Sequence, residues 1–165
     1  MLDIVRIARD GGILAFISCI YFPLLLRYNP RFARADLPMD IQEAVPPLTK
    51  KEKTEAALFW MPILILFLVI PYVSTLRLSL QNPENLSFPF LFLNAYGILL
   101  IANLAELIVV DLLLLCTITP KWIVIPGTEG MAGYKDYAHQ IKAHLRGAAL
   151  MAAIALTVAA IVSFV

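Results

Sequence analysis

Four long apolar stretches, separated by shorter polar segments, dominate the chain. They run from Gly11 to Leu26, Ala56 to Leu76, Phe88 to Thr119 and Gly147 to Val165. Each reaches or approaches the roughly 20 residues that a helix needs to cross the hydrocarbon core of a membrane. The pattern therefore predicts four membrane-spanning helices, with crossings at about 11–26, 56–76, 91–118 and 147–165.

The composition agrees with this pattern. Of the 165 residues, 61% are hydrophobic and 15% are charged, which lies outside the usual range for a soluble domain. We therefore predict an all-α integral membrane protein, a single membrane domain over residues 1–165 built as a four-transmembrane-helix bundle. The expected location is a bacterial inner membrane. The arginines that follow the first stretch favour a retained helix over a cleaved secretory leader.

Lysines and arginines are distributed unevenly between the two sides of the predicted bundle. Ten lie in the connections 27–55 and 119–146, and three lie on the opposite side. Because basic connections tend to stay in the cytoplasm, both connections are predicted to be cytoplasmic loops and both termini extracytoplasmic. These loops are expected to carry short amphipathic helices.

Local signals set several helix boundaries. Asp36 is expected to cap a short helix that begins around Pro38. Thr49 with Glu52 matches a capping box, so the second long helix should begin near Lys50. A short external turn is predicted over residues 81–87.

The C-terminal third combines two helical patterns. Apolar and basic positions alternate at helical spacing between residues 134 and 146, which predicts an interfacial helix leading into the last crossing. A stripe of small residues then follows, a pattern that allows close helix packing in lipid: Ala148, Ala152, Ala155, Ala159 and Ser163. Packing within the chain is favoured over packing against a second subunit, although a homo-oligomer remains possible.

Glu106 and Asp111 are the residues most suggestive of function, because they interrupt a long apolar stretch that has no lysine, arginine or histidine. Such acids usually face a bundle interior. On an α-helix they share one side with Tyr96, Asn103 and Thr117, so the binding or relay candidates are Glu106, Asp111, Asn103 and Tyr96. Two interpretations stay open: a proton or cation relay, and a neutral pair that fixes helix packing, which is slightly favoured.

Partners for Asp111 can be sought among the basic groups near the cytoplasmic interface, namely Lys121, Lys142, His139 and His144. The two histidines lie five residues apart, a spacing that does not direct both towards one ion on a regular helix, so surface positions near lipid headgroups are expected. The interface candidates are Lys135, Asp136, His139, Lys142, His144 and Arg146.

No catalytic, metal or cofactor site is predicted. The glycines between 127 and 133 do not follow a nucleotide-binding spacing, and no serine or cysteine has a histidine and an acid at a recognisable spacing. A net charge of +1 with no basic face argues against nucleic acid as a partner.

Two loop segments resemble a pattern found in small bacterial four-helix membrane proteins of uncharacterised function. The first runs from Asn29-Pro30-Arg31 through the sequence Asp40 to Pro47, and the second comprises Pro126 to Gly130 with Tyr134-Lys135-Asp136. The resemblance implies that both segments are internal loops. It implies no activity, substrate or catalytic residue.

Because the distinctive residues are concentrated in the loops, the leading expectation is a non-enzymatic subunit or scaffold of a membrane complex, which contacts the bilayer and a protein partner through loops 27–55 and 119–146. The alternative is a homo-oligomeric proton- or cation-coupled small transporter that uses Glu106. A lesser alternative is an interfacial lipid-modifying enzyme that uses Asp136, His139 or His144.

Overall fold

The computed structural model describes residues 3–82 and 87–165, and every regular element in these ranges is helical. Helix α1 spans Ile4–Tyr28, α2 Met39–Ala44, α3 Lys50–Gln81, α4 Phe88–Glu106 and α5 Tyr137–Val162. Helix α4 continues directly into a π-helical segment, Leu107–Ile118, and short 3-10 helices occupy Pro30–Asp36 and Ala132–Lys135. The turn predicted over residues 81–87 lies largely outside the described residues.

Four helices are long and apolar enough to cross a membrane, as the sequence predicts. They are α1, α3, α5 and the continuous helix formed by α4 and its π-helical segment. Each is longer than the stretch proposed as its crossing. Helix α1 begins at Ile4 rather than near Gly11, and the expected interfacial helix is the first part of α5, which runs unbroken from Tyr137.

Side-chain caps explain how these helices extend into polar sequence. Thr49 and Glu52 form the predicted capping box at the start of α3, which confirms that this helix begins at Lys50. Asp3 and Asp136 accept backbone N–H groups in the first turns of α1 and α5. Such caps satisfy amide donors that a helix start leaves free.

The cap predicted at Asp36 is wrong. Asn29 instead starts a 3-10 helix by accepting the backbone N–H of Arg31, with a proline at the first helical position, and Asp36 is the last residue of that helix. Helix α2 then begins at Met39, and Pro38, which provides no side-chain cap, precedes it. The asparagine–proline pair Asn29-Pro30 starts the 3-10 helix ahead of Asp36, so Asp36 falls at the end of a helix rather than at the start of one.

Helix α4 lies at the centre of the bundle and contacts α1, α3 and α5. Its inward side carries small and branched residues that are fully buried: Ala95, Ile98, Leu99 and Ala102. Ala155 and Ala159 of the small-residue stripe on α5 pack into the same core with no exposed surface. These two residues of the stripe therefore pack within the chain, because small side chains allow α5 to approach α4 closely, whereas Ser163 is exposed.

The two connections on the same end of the bundle fold against each other. Their apolar residues form a second core with the ends of α1, α3 and the π-helical segment. A carboxylate oxygen of Asp40 in α2 accepts the backbone N–H of Gly133 at 2.9 Å. A Cβ at position 133 would overlap the Asp40 carboxylate, so a side chain there would displace this carboxylate from the Gly133 N–H. We call this assembly, residues 29–49 and 119–136, the loop layer.

The π-helical segment ends at Thr119, whose N–H donates to the carbonyl of Leu114, five residues earlier, at 2.8 Å. Thr119 adopts a left-handed conformation and Pro120 follows, so the helix cannot continue. The Lys135 Nζ donates to the carbonyl oxygens of Cys116 and Thr117 at 2.7 and 3.0 Å. A lysine from the loop layer thus satisfies carbonyl groups that the helix end leaves unpaired.

Candidate functional site

A cavity of about 300 Å³ lies where the bundle meets the loop layer. Its walls come from α1, α3, α5, the end of α4 and the π-helical segment, together with loop residues. The apolar wall includes Phe22, Leu25, Leu26, Trp60, Val110 and Leu115. The polar wall consists of Asp36, Asn103, Glu106, Asp111, Gln140 and His144.

His144 connects two of the predicted site residues. Its Nε2 lies 2.6 Å from a carboxylate oxygen of Asp111, and its Nδ1 lies 2.9 Å from the Oδ1 of Asn103. The histidine side chain is 11% exposed and that of Asp111 20%. Asn103 is 4% exposed. A partly buried hydrogen-bonded chain therefore joins α4, the π-helical segment and α5.

The orientation of Asn103 bears on where the protons lie. Its amide nitrogen lies 3.5 Å from the backbone carbonyl of His144, and in this orientation its oxygen faces the imidazole and accepts from Nδ1. One further proton then lies between Nε2 and Asp111, because an unprotonated nitrogen and a carboxylate would both be acceptors. The pair holds this proton either as an imidazolium–carboxylate pair or as a neutral imidazole and carboxylic acid.

The π-helical geometry places Glu106 and Asp111 on the same wall. In an α-helix, residues five apart are separated by about 140° around the axis. Successive turns of a π-helix are linked five residues apart, so Asp111 follows Glu106 by about one turn. Both residues accordingly line the cavity.

Glu106 faces like charges rather than a cation. Among the residues that the structure describes, the ionisable groups that act on it are the carboxyls of Asp111 and Asp36. Cys19 of α1 also lies near it. Proximity of carboxyls disfavours simultaneous ionisation of all of them, so this wall is suited to holding a proton or a bound cation.

Two polar residues complete the cavity from other elements. Asp36 lies exposed at its rim, at the end of the first 3-10 helix. Partial desolvation beside the cavity raises the pKa of its carboxyl, Asp111 raises this pKa further, and His139 lowers it. Gln140 on α5 is 4% exposed, and its Nε2 has no hydrogen-bond partner among the described residues. An unpaired amide in a cavity wall is costly in the absence of a partner.

Gly147 makes room for the hydrogen-bonded chain. A Cβ at this position would lie 3.3 Å from the Oδ1 of Asn103. This distance is tight for a carbon atom. The absence of a side chain therefore allows Asn103 to reach His144 across the interface between α4 and α5.

The remaining candidates read from the sequence lie elsewhere. Tyr96, expected to join the acids, stacks on Phe92 at 5.4 Å and packs against the central core. Thr117 hydrogen-bonds to the carbonyl of Leu112. Lys142 and Arg146 are exposed on α5.

Three interface candidates have structural contacts. Lys135 caps the π-helical segment, Asp136 caps α5, and the Nε2 of His139 lies 2.9 Å from the backbone carbonyl of Asp36. These three side chains do not line the cavity. The expectation that both histidines lie at the surface near lipid headgroups is wrong for His144, which is enclosed between α5, α4 and the π-helical segment.

The spacing of residues along α5 predicts its side of the cavity wall, although the site candidates named from the sequence on this helix are its basic residues only. The residues that line the cavity from α5 are spaced at three and four along the helix: Gln140, Ala143, His144 and Gly147. This spacing marks one helix face. This face carries Gln140 and His144 and lies beside the acids of the preceding helix. His144 is one of several possible partners of Asp111 that were named from the sequence.

A second polar cluster lies on the other side of the central core. The amide nitrogen of the fully buried Asn94 donates to Thr75 at 3.0 Å and lies 3.4 Å from the hydroxyl of Ser74. Asp10 of α1 lies within hydrogen-bonding reach of Ser74. Polar side chains therefore occur on both sides of the apolar layer formed by Ile98, Leu99 and Ala102.

No set of three or more histidine, cysteine, aspartate or glutamate side chains is arranged to hold a metal ion in the described residues. No family model, curated protein or solved structure matches this chain. The function proposed below therefore rests on the geometry of the site.

Proposed function

We propose that the chain is a multi-pass membrane protein that carries a small solute across the bilayer in exchange for protons. Glu106 is the group that alternately holds the proton and the solute, and Asp111 with His144 forms the adjoining proton relay. The observation that carries this proposal is the convergence of Glu106, Asp111, Asn103 and His144, from different helices, on one cavity.

The outer surface supports a location in the bilayer. Large apolar side chains on the lengths of the long helices are highly exposed, for example Phe16 at 70%, Leu64 at 58% and Leu68 at 51%. Apolar surface of this extent is typical of a membrane-facing exterior rather than of a monomer in water. The charge distribution favours an inner membrane with the loop layer in the cytoplasm and both termini outside.

The arrangement of polar groups supports carriage rather than a fixed packing pair. The cavity lies at the loop end, the apolar layer of α4 closes it towards the other end, and the cluster around Asn94 lies beyond that layer. Carriers expose their binding site to one side of the membrane at a time. Access to the Asn94 side would require movement of α1, α3 or α5 relative to α4.

A role as a subunit or scaffold remains a prediction with less support. The loop residues that motivated it contact one another: Asp40 binds Gly133, and Lys135 caps the π-helical segment. Their presence is therefore explained within the chain. The proposed carrier likewise needs no second copy, because one chain supplies the cavity walls.

The lipid-modifying enzyme has no site of its own. Asp136 and His139 are engaged at the start of α5, whereas His144 contacts Asp111 and Asn103 inside the cavity. These three side chains do not converge on one position. The geometry thus favours the carrier over this alternative.

Proteoliposomes test the proposal. The full chain is reconstituted with a pH-sensitive dye inside, and outward gradients of a panel of inorganic cations, organic cations, neutral solutes and organic anions are imposed in turn. We expect at least one class of solute to drive a pH change in the wild type, because its movement is coupled to protons. The Glu106→Gln variant should lose this change.

The control is Glu43→Gln, which makes the same chemical change at an exposed acid of α2. It should retain wild-type coupling. A panel in which no solute moves protons in the wild type would sink the proposal, and so would full coupling in a correctly folded Glu106→Gln protein.

A further inference from the structure

The cavity combines negative charge with an aromatic and aliphatic wall, and this combination points to the solute. It holds three carboxyl side chains, Asp36, Glu106 and Asp111, and none of its lining residues is a lysine or an arginine. His144 is the basic lining residue, and its Nε2 is directed at Asp111. An anionic solute would meet uncompensated repulsion there, whereas a cation would find Glu106 without a competing partner.

The wall opposite the acids is built for an apolar group. Phe22 and Trp60 face the cavity with ring centroids 5.4 Å apart, and leucines from α1 and the π-helical segment extend the surface. The faces of aromatic rings attract ammonium groups, and tryptophan does so most strongly. Small inorganic cations favour full oxygen coordination, which this wall does not supply.

The unpaired amide of Gln140 is a second, independent feature that favours binding of a polar ligand. It is 96% shielded from solvent, lies in the cavity wall and has an amide nitrogen with no partner in the described part of the chain. A terminal amide can present its NH2 or, after a half-turn, its oxygen. It can therefore bind either an acceptor atom or an ammonium N–H of a ligand.

The cavity volume of about 300 Å³ sets the size of this ligand. It lies at the lower end of the range found for small-molecule sites. A single aromatic or short aliphatic body with one ammonium group fits this space.

We propose that the cavity binds a small organic cation, a substituted ammonium with an apolar body, whose charge lies at Glu106 and whose body packs on Phe22 and Trp60. This inference rests on the proposed function and names its solute class. Binding of the cation releases a proton from Glu106, so that one positive charge replaces another. The groups that face Glu106 during this exchange are Asp111 on its own helix, Asp36 from the loop layer, His144 on α5 and Cys19 on α1.

Calorimetric titration of the full chain in nanodiscs tests the inference. The probes are benzyltrimethylammonium, benzyl alcohol and phenylacetate, which share a ring and differ in charge. We expect saturable binding of the cation alone, with an affinity that weakens as the pH falls. Titration in buffers of different ionisation enthalpy should detect proton release on binding.

Variants locate the site. Glu106→Gln should weaken binding of benzyltrimethylammonium by about tenfold or more and abolish proton release, because a charged partner is lost. Trp60→Leu should weaken binding while proton release continues, and Glu43→Gln should change neither. Equal binding of benzyl alcohol, absence of saturable cation binding, or wild-type binding by folded Glu106→Gln would each overturn the inference.

The outcomes separate this inference from the proposed function. Cation binding without solute-driven proton movement in proteoliposomes would overturn the carrier and leave the cation site standing. Proton movement driven only by another class of solute, with no cation binding, would overturn the cation site and leave the carrier standing.

Discussion

At the scale of single residues, the site depends on His144 having a hydrogen-bond partner for each of its two ring nitrogens. Asn103 fixes one side of the imidazole and Asp111 takes the other. A partly buried histidine with both nitrogens paired avoids the cost of an unsatisfied polar group, and so does the acid beside it. The loss of either member would therefore leave the other without its hydrogen-bond partner.

A double-mutant cycle measures the contact between Asp111 and His144. We expect His144→Leu and Asp111→Leu each to lower the free energy of unfolding in mild detergent. The double variant should lose about 1–3 kcal/mol less than the sum of the two, because each single change leaves a polar partner unpaired. Chemical unfolding followed by circular dichroism provides the four values.

The matched control pairs Asp111→Leu with Lys142→Leu, since Lys142 is exposed on the same helix as His144. Its coupling energy should be close to zero. A coupling below about 0.3 kcal/mol for the Asp111–His144 cycle would show that the contact does not contribute to stability.

Asp36 should make stability depend on pH. Asp36 is exposed at the cavity rim, where partial desolvation and Asp111 raise the pKa of its carboxyl in the folded chain, although His139 partly opposes them. The folded state therefore binds the proton more tightly than the unfolded state. The resulting stabilisation is present at low pH and is lost as the pH rises from about 4 through the raised value.

Replacing the carboxyl tests this dependence. We expect Asp36→Asn to gain stability relative to the wild type as the pH rises through this window, measured by thermal unfolding in detergent at a series of pH values. Glu43→Gln, at an exposed acid, should run parallel to the wild type. If the Asp36→Asn and wild-type curves also run parallel, the carboxyl has no shifted pKa.

At the scale of elements, the π-helical segment is the feature that shapes the site. Long π-helices are rare. Most π-helical geometry in proteins occurs as single turns within α-helices. Here the segment covers 12 residues. It brings Asp111 to the side of Glu106, and the loop layer closes its end through Lys135.

Lys135 is accordingly predicted to stabilise this segment. We expect Lys135→Met to lower the free energy of unfolding by about 1–3 kcal/mol, because three oxygen atoms lose a charged donor: the carbonyls of Cys116 and Thr117 and the hydroxyl of Thr119. Hydrogen exchange over residues 107–118 should become faster. Thermal unfolding and exchange mass spectrometry measure the two effects.

Lys142→Met is the control for the loss of a lysine charge, because Lys142 is exposed. It should change the free energy of unfolding by no more than about 0.5 kcal/mol. Hydrogen exchange over residues 107–118 should stay at the wild-type rate. Unchanged exchange over residues 107–118 in Lys135→Met would contradict a capping role.

The sequence predicted the elements better than the site. Apolar length and the Thr49–Glu52 box predict four long helices and the start of α3, because they are local signals. The π-helical geometry has no local signal in residues 107–118, which are apolar apart from Asp111 and Thr117. The grouping of Tyr96 with the acids, derived from regular α-helical geometry, therefore did not match the structure.

The sequence also gives no local signal for which distant residues meet at the cavity. Asp36 and Glu106 are brought to one cavity by the folding of the loop layer, and no spacing in the sequence links them. Gln140 and His144 share a helix face that could be read from their spacing. Their position opposite Asp111 became evident only from the packing of α5 on α4.

At the scale of the whole molecule, the asymmetry between the two ends of the bundle is the main architectural feature. The loop layer and the cavity lie at one end, and the first and last described residues, Asp3 and Val165, lie at the other, because the four long helices alternate in direction. In the proposed membrane location, the distribution of basic residues predicts that the cavity end faces the cytoplasm. A carrier with this orientation binds its solute from the cytoplasmic side and takes up protons from outside.

Labelling of introduced cysteines tests this orientation. In a background of Cys19→Ala and Cys116→Ala, single cysteines replace Lys51 and Lys121 at the loop end, and Val165 at the other end; all three positions are exposed. We expect a membrane-impermeant maleimide to label the Val165→Cys protein in intact cells, and to label Lys51→Cys and Lys121→Cys only after the membrane is opened, since the basic connections stay inside. Labelling of both Lys51→Cys and Lys121→Cys from outside would reverse the predicted orientation and the direction of solute–proton exchange. Labelling of only one of them would contradict a bundle with both connections at one end.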